Sequence, residues 1–318
     1  MDFRKSVELP IGEAEIRHSD QLLLIGSCFT ENMGKIFSAN KFRCLINPFG
    51  ILYNPLSIAE AICQMLAHRQ YDENDLLCNH GMWLSLMHHG SFSSLDKNEC
   101  LDKINFNLKQ GADCLQKAKW LIITFGTARV YEWKQTGQIV GNCHKLPEKC
   151  FSRRLLEVDE ILETYDHLFS DLRKVNPELN VLFTVSPIRH TRDGMHGNQV
   201  SKATLLLAID KLCSGHSFCH YFPSYEIMID ELRDYRFYDA DMVHPSQLAI
   251  EYIWECFAKS YFKNQTMDFL KEWESIRRGL EHRPFNPDSE EYLRFRSQIL
   301  LKMERLKEKY PYLEMLNE

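Results

Sequence analysis

The sequence has little of what marks secreted, membrane-spanning or disulfide-stabilised proteins. No stretch approaches the roughly 20 consecutive apolar residues that cross a bilayer, and the first eight residues lack the apolar core of a signal peptide. The eleven cysteines are an odd number scattered singly along 318 residues, which does not suit a disulfide framework. We therefore expect a protein of a reducing compartment, most simply the cytoplasm.

The chain also lacks a basic excess, an internal repeat and any low-complexity segment. Its net charge of −6 argues against a dedicated nucleic-acid binder. A hydrophobic fraction of 44% with 26% charged residues is typical of a globular protein. The length allows one large domain or two small ones.

Strand-like and helix-like segments alternate along most of the chain. Short apolar runs predict strands near residues 22–25, 44–50, 120–125, 181–185 and 218–222. Helical apolar spacing lies between them, notably over residues 161–172 and 201–212. This order predicts a mostly parallel sheet with helices on both faces.

The C-terminal segment has a different pattern. Apolar residues at helical spacing predict two helices, and the sequence HRPFNP at 282–287 separates them, because proline removes a backbone donor. We expect a domain over residues 1–262 and a helical extension over residues 263–318 packed on it. The alternative, a coiled-coil arm, has too few heptads to support it.

The most informative motif is GSCFT at residues 26–30, which follows an apolar strand and opens a helix-like pattern. Such a turn lies at the carboxyl edge of a sheet, where open α/β folds bind ligands. The positive end of the helix favours a thiolate, so Cys28 is a candidate nucleophile. The alternatives are that Cys28 is a small buried hydrophobic residue, or that Ser27 is the nucleophile. Capping the helix is the simpler role for Ser27.

A second motif, DMVHPS at residues 241–246, stands before the helical pattern that follows the last strand. In acyl-transfer chemistry, His244 would take the thiol proton while Asp241 fixes the tautomer of the imidazole. A lone Asp-x-x-His also arises by chance, and His244 could simply be a residue at the start of a helix. The order of the two motifs along the chain favours the catalytic interpretation.

These and other blocks resemble the GSCFA family. The blocks are GSCFT at 26–30, NPFGILYNP at 47–55, FGTA at 125–128, GNCHK at 141–145, SPIRH at 186–190, and RDYRFY at 233–238 leading into DMVHPS. The family in turn resembles a branch of the SGNH/GDSL hydrolase superfamily. The resemblance implies a flavodoxin-like α/β/α sandwich with a serine-type triad at the carboxyl edge of the sheet.

The superfamily pattern transfers only in part. Aligning its Gly-Asp-Ser block on the first glycine puts Cys28 at the serine position and Ser27 at the aspartate position. Its Asp-x-x-His block matches Asp241 and His244 without a gap. The resemblance therefore implies a Cys28-His244-Asp241 triad.

The oxyanion hole is where the match weakens. The resemblance makes Gly50 the best match for the glycine of the second block. The third block, Gly-x-Asn-Asp, corresponds to Gly126 followed by Thr-Ala-Arg, so its asparagine is missing. Either Asn47 or Asn142 could replace it, and spacing leaves both open.

Further polar residues stand near predicted strand ends and suit an anionic substrate: His144, Lys145, Arg189 and His190. A metal site is the alternative, but the spacing matches no standard zinc arrangement. No phosphate-binding glycine loop is present. We expect neither a metal nor a cofactor.

Together these features predict a hydrolase or acyltransferase that acts on an ester or acyl group. Superfamily analogy points to a small-molecule or carbohydrate-linked substrate, such as a cell-envelope precursor. The alternative is an inactive module of the same fold that binds a small anionic ligand or a protein partner in its cleft.

Overall fold

The computed structural model describes residues 5–12, 14–286 and 288–313. Two segments covered by the sequence-based predictions lie outside the described residues. They are residues 1–4, in the N-terminal segment that lacks a signal-peptide pattern, and residues 314–318 of the predicted helical extension. Across the described ranges, no helix is long and apolar enough to cross a membrane.

The elements alternate along the chain, as the apolar runs predict. The strands are β1 (Gln21–Gly26), β2 (Arg43–Ile46), β3 (Leu77–Asn79), β4 (Met82–Leu84), β5 (Trp120–Phe125), β6 (Arg129–Trp133), β7 (Phe151–Leu155), β8 (Asn180–Val185) and β9 (Cys219–Phe222). The helices are α1 (Cys28–Ala39), α2 (Pro55–Leu66), α3 (Lys97–Lys117), α4 (Val158–Val175), α5 (Gly194–Gly215), α6 (Ser224–Glu226), α7 (Gln247–Tyr261), α8 (Asn264–Glu281) and α9 (Glu290–Lys309).

Five strands form the central sheet in the order β2-β1-β5-β8-β9, and all neighbours are parallel. This is the flavodoxin-like order, in which the first strand lies at the point where the winding reverses. The predicted α/β fold with a parallel sheet is confirmed. Two antiparallel hairpins, β3–β4 and β6–β7, interrupt the connections.

The sheet is buried on both faces because alternate side chains point in opposite directions. In β1, Leu23 and Ile25 belong to the core beneath α2, α3, α4 and α5. Leu22 and Leu24 belong to the core beneath α1 and α7. This explains why the strand is a continuous apolar run rather than an alternating one.

The C-terminal helices α8 and α9 share a small core of their own and also contact the main unit. The indole of Trp273 on α8 donates to the Ala39 carbonyl at 2.8 Å, and the Phe269 ring lies 3.6 Å from the ring of His18. The predicted helical C-terminal region is confirmed. The boundary at residue 262 stays a prediction.

We predict that Gly26→Ala destabilises the fold. Gly26 has φ +149°, and a Cβ there would lie 2.3 Å from the Thr124 carbonyl oxygen. Backbone strain alone costs about 1–3 kcal/mol, so the midpoint of thermal unfolding should fall. The matched control is Gly215→Ala at the end of α5, where a Cβ would meet nothing within 4 Å. Equal melting of the two variants would contradict the prediction.

Candidate active site

A cavity of about 420 Å³ lies at the carboxyl edge of the central sheet. Its walls come from the segments that follow β1, β5 and β8, from the β6–β7 hairpin and from the loop before α7. The lining includes Ser27, Cys28, Tyr53, Asn142, Arg189, His190 and His244. The position agrees with the rule that open α/β sheets bind ligands beyond the carboxyl ends of their strands.

Cys28 is the first residue of α1 and is half-buried. Its Sγ lies 3.5 Å from the hydroxyl of Tyr53. Ser27 is the N-cap, and its Oγ accepts the N–H of Phe29 at 3.3 Å. The serine hydroxyl therefore caps the helix, while the thiol stands at the cavity.

His244 lines the same cavity and forms a close pair with Asp241. His244 Nδ1 lies 2.5 Å from Asp241 Oδ2, and Asp241 Oδ1 accepts the N–H groups of His244 and Val243 at 2.9 Å each. The hydrogen bonds from His244 and Val243 lower the pKa of Asp241 to about 2. A carboxylate at Nδ1 favours the tautomer that keeps Nε2 as the base.

His244 and Cys28 line one cavity, although the structure of the described ranges has no hydrogen bond between them. The side chain of His244 is 43% exposed, so its ring packs loosely. Catalytic hydrogen bonds are often long or misaligned before substrate binds.

Arg189 holds the loop that carries His244. Its guanidinium carbon lies 4.1 Å from the ring centre of Tyr238, and Nη1 donates to the Met242 carbonyl at 3.4 Å. Its backbone N–H donates to the Val243 carbonyl at 3.4 Å. The sequence predicts Arg189 as a substrate-binding cation, and these contacts also give it a positioning role.

His190 lines the cavity and lies near Lys202, a buried lysine that no sequence motif indicated. Lys202 Nζ donates to the carbonyls of Gly126 and Ser186 at 2.7 Å each, and burial lowers the pKa of Lys202 to about 7. Burial and the nearby Lys202 lower the pKa of His190 to about 4, so its ring is neutral at pH 7. Gly126 itself is not part of the lining.

Gly50 and Asn47 do not line the cavity. The N–H of Gly50 donates to the Asn47 carbonyl at 2.7 Å, and the Oδ1 of Asn47 accepts the N–H of Gly26 at 2.8 Å. These bonds fasten the loop after β2 to the end of β1. The expected oxyanion role of Gly50 is not supported, because its N–H is already used in a turn.

Asn142 is the asparagine that reaches the cavity. Its Oδ1 accepts the N–H of His144 at 2.8 Å, and its amide nitrogen makes no hydrogen bond within the described ranges. His144 Nε2 bonds to the Ser85 carbonyl at 2.8 Å, and neither His144 nor Lys145 lines the cavity. No group of three or more His, Cys, Asp or Glu that could hold a metal ion occurs among the residues described.

The motifs also missed the arginines of the β6–β7 hairpin and of the segment before α5. Arg129, Arg153 and Arg192 all line the cavity, together with Asp193. Arg153 forms a bidentate ion pair with Asp193. The signal in the sequence was weak, because Arg129 stands only at the unmatched last position of the third block, and Arg153 and Arg192 belong to none of the blocks.

The fold and the cavity define an α/β protein with a cysteine and a histidine–aspartate pair at the carboxyl edge of a parallel sheet. A model of the GSCFA family matches residues 21–257. A second model, the GSCFA domain protein C-terminal domain, matches residues 273–318. The chain therefore belongs to the GSCFA family. No curated protein matches it.

We predict that iodoacetamide alkylates Cys28 roughly tenfold or more faster than Cys143 at pH 7. Both thiols line the cavity, but burial raises the pKa of Cys143 to about 11, whereas Cys28 stands at the positive end of α1 with the Tyr53 hydroxyl 3.5 Å from its Sγ. Peptide mapping by mass spectrometry at short reaction times measures both rates. Exposed Cys78 is the reference thiol, and labelling of Cys28 no faster than Cys78 would contradict the prediction.

Proposed function

We propose that the cavity catalyses acyl transfer, as an ester hydrolase or acyltransferase with Cys28 as nucleophile. The carrying observation is that Cys28, at the start of α1, lines one cavity with His244, whose Nδ1 is hydrogen-bonded to Asp241. The likeness of the GSCFA motifs to the SGNH/GDSL pattern supports the same assignment. By that analogy, the substrate is an acylated small molecule or carbohydrate, such as a cell-envelope precursor in the cytoplasm.

The reaction has two steps. His244 takes the thiol proton, Cys28 Sγ bonds to the acyl carbon, and the bond from that carbon to the leaving oxygen or sulfur breaks. The leaving atom takes the proton from His244. Water or an acceptor hydroxyl, deprotonated by His244, then attacks the thioester, and Cys28 leaves with the proton returned.

Tyr53 supports the nucleophile in this scheme. Burial raises the pKa of Tyr53 well above its usual value, so the phenol stays protonated at pH 7. A hydroxyl 3.5 Å from Sγ can donate to the thiolate. Cys28 therefore has a hydrogen-bond donor besides the N-terminus of α1.

Two donors remain for the developing oxyanion. The backbone N–H of Cys28 is at the first turn of α1, where the helix supplies no acceptor. The amide nitrogen of Asn142, on the cavity wall, is the second. Preorganised donors of this kind stabilise charge that develops in the transition state.

A second candidate function is a binding module without catalysis. The observation that favours it is that the N–H of Gly50 is used in a turn and that neither Gly50 nor Asn47 lines the cavity, so two expected oxyanion donors are not placed at it. The cavity would then hold a small anionic ligand or a segment of a protein partner.

We predict that His244→Ala lowers turnover of aryl esters or thioesters by about 10²–10⁴-fold, the usual contribution of a general base. The fold should be unaffected, because this ring is 43% exposed. Cys28→Ser should keep at most weak activity, because a serine needs stronger help from the base than a thiol. Steady-state assays of a substrate panel and thermal melts provide the readout.

The control for the histidine is His167→Ala, on the exposed face of α4. Turnover in this variant should equal that of the wild type. Equal turnover in the wild type and His244→Ala would mean that the hydrolysis is adventitious, and the binding module would become the better proposal.

We predict that Arg189→Ala lowers kcat as well as raising KM. A side chain that only bound substrate would change KM alone, but this guanidinium also contacts Tyr238 and the Met242 carbonyl of the His244 loop. Kinetics over a substrate series separate the two constants. A change in KM at constant kcat would refute the positioning role.

A further inference from the structure

One wall of the cavity is rich in guanidinium groups. Arg129 lies on β6, Arg153 on β7, and Arg192 just before α5. The register of the hairpin places Tyr131 opposite Arg153. Arg153 and Arg192 lie 5.2 and 5.4 Å from the ring centre of Tyr131.

The charges on this wall are not balanced. Arg129, Arg153, Arg189 and Arg192 line the cavity with a single carboxylate, Asp193. Arg192 also pairs with Glu148, at 2.8 Å. These are the two carboxylates that pair with the four arginines among the described residues, so two guanidinium charges have no paired carboxylate in a protein whose net charge is −6.

Several donors on the same wall are buried without a partner. Arg129 approaches Asp193 only at 3.9 Å from Nε to Oδ2, and this buried Nε makes no hydrogen bond. The buried Nε of Arg153 and the hydroxyl of Tyr131 also lack partners among the described residues. Unpaired buried donors are costly, so contacts within the hairpin alone do not account for this arrangement.

Arg154 shows how an arginine with a structural role is bound in this protein. It follows Arg153 on β7, and it donates to Glu132 at 2.6 Å and to both oxygens of Glu160 at 2.6 and 2.7 Å. Within the described part of the chain, Arg129 has no such set of partners. The contrast indicates that Arg129 is held for a ligand rather than for the hairpin.

We infer that the hairpin wall, centred on Arg129, is a binding subsite for a phosphate monoester group of the substrate. A phosphate monoester carries nearly two negative charges, which match the two guanidinium charges that have no paired carboxylate. It also offers several acceptor oxygens to guanidinium donors, whereas a carboxylate offers one negative charge and two oxygens. The inference rests on the proposed acyl transfer for the reacting end of the substrate. The substrate is then a phosphorylated ester or thioester, with its acyl carbon at Cys28.

The test uses isothermal titration calorimetry of the full chain with inorganic phosphate, and with acetate as the singly charged comparison. Phosphate should bind the wild type, and Arg129→Gln should weaken binding roughly tenfold or more, the loss expected for a charge-assisted hydrogen bond. Arg129→Lys, which keeps the charge, should fall between them. Arg294→Gln, on exposed α9, is the matched control and should bind as the wild type does.

Cys28→Ala separates this inference from the proposed function, because it should abolish turnover and leave phosphate binding unchanged. Phosphate binding that depends on Arg129 supports the subsite even if no acyl substrate is turned over. Absence of phosphate binding, equal binding by folded Arg129→Gln and wild type, or acetate binding as tight as phosphate would each overturn the subsite. Thermal melts establish that the variants are folded.

Discussion

The hydrogen bonds of the Gly26 peptide hold three segments of the cavity edge together. Its N–H donates to Asn47 Oδ1 at 2.8 Å, and its carbonyl accepts the N–H of Leu52 at 3.1 Å. The next N–H, of Ser27, donates to the Thr124 carbonyl at 3.3 Å. The end of β1, the loop after β2 and the end of β5 are thus fastened to one another. Because α1 begins directly after this turn, these bonds set the position of Cys28 relative to the loop that carries Tyr53. Only glycine fits at position 26, since a Cβ there would collide with the Thr124 carbonyl.

A second constraint lies beneath the cavity floor. Lys202 joins the segments that follow β5 and β8, because its Nζ donates to the carbonyls of Gly126 and Ser186. Its position next to His190 helps to keep that imidazole neutral. The cavity therefore contains one histidine held as a neutral ring and another, His244, paired with a carboxylate. Of the two, the paired ring has the partner that stabilises an imidazolium during proton transfer.

The sequence was sufficient for the sheet, the turn before α1 and the C-terminal helices, because apolar runs and helical spacing are local signals. It was not sufficient for the oxyanion donors. Whether the N–H of Gly50 is available depends on a turn that closes on Asn47, and the spacing of residues in the sequence does not reveal that bond.

The hairpin wall could not be predicted for a similar reason. Arg129 and Tyr131 share a face of β6, but Arg153 joins them only through a pairing register between segments about 20 residues apart. The triad assignment and the domain boundary remain predictions.

The charges of the site bear on the choice between catalysis and binding alone. An excess of guanidinium groups and the N-terminus of α1 both favour an anion in the cavity. A module that only bound an anion would gain nothing from a further carboxylate at the rim. Asp241 is nevertheless held ionised there by three hydrogen bonds, with His244 between it and the cavity. A carboxylate in that position weakens anion binding but orients the imidazole for proton transfer, and this difference supports the proposed acyl transfer over binding alone.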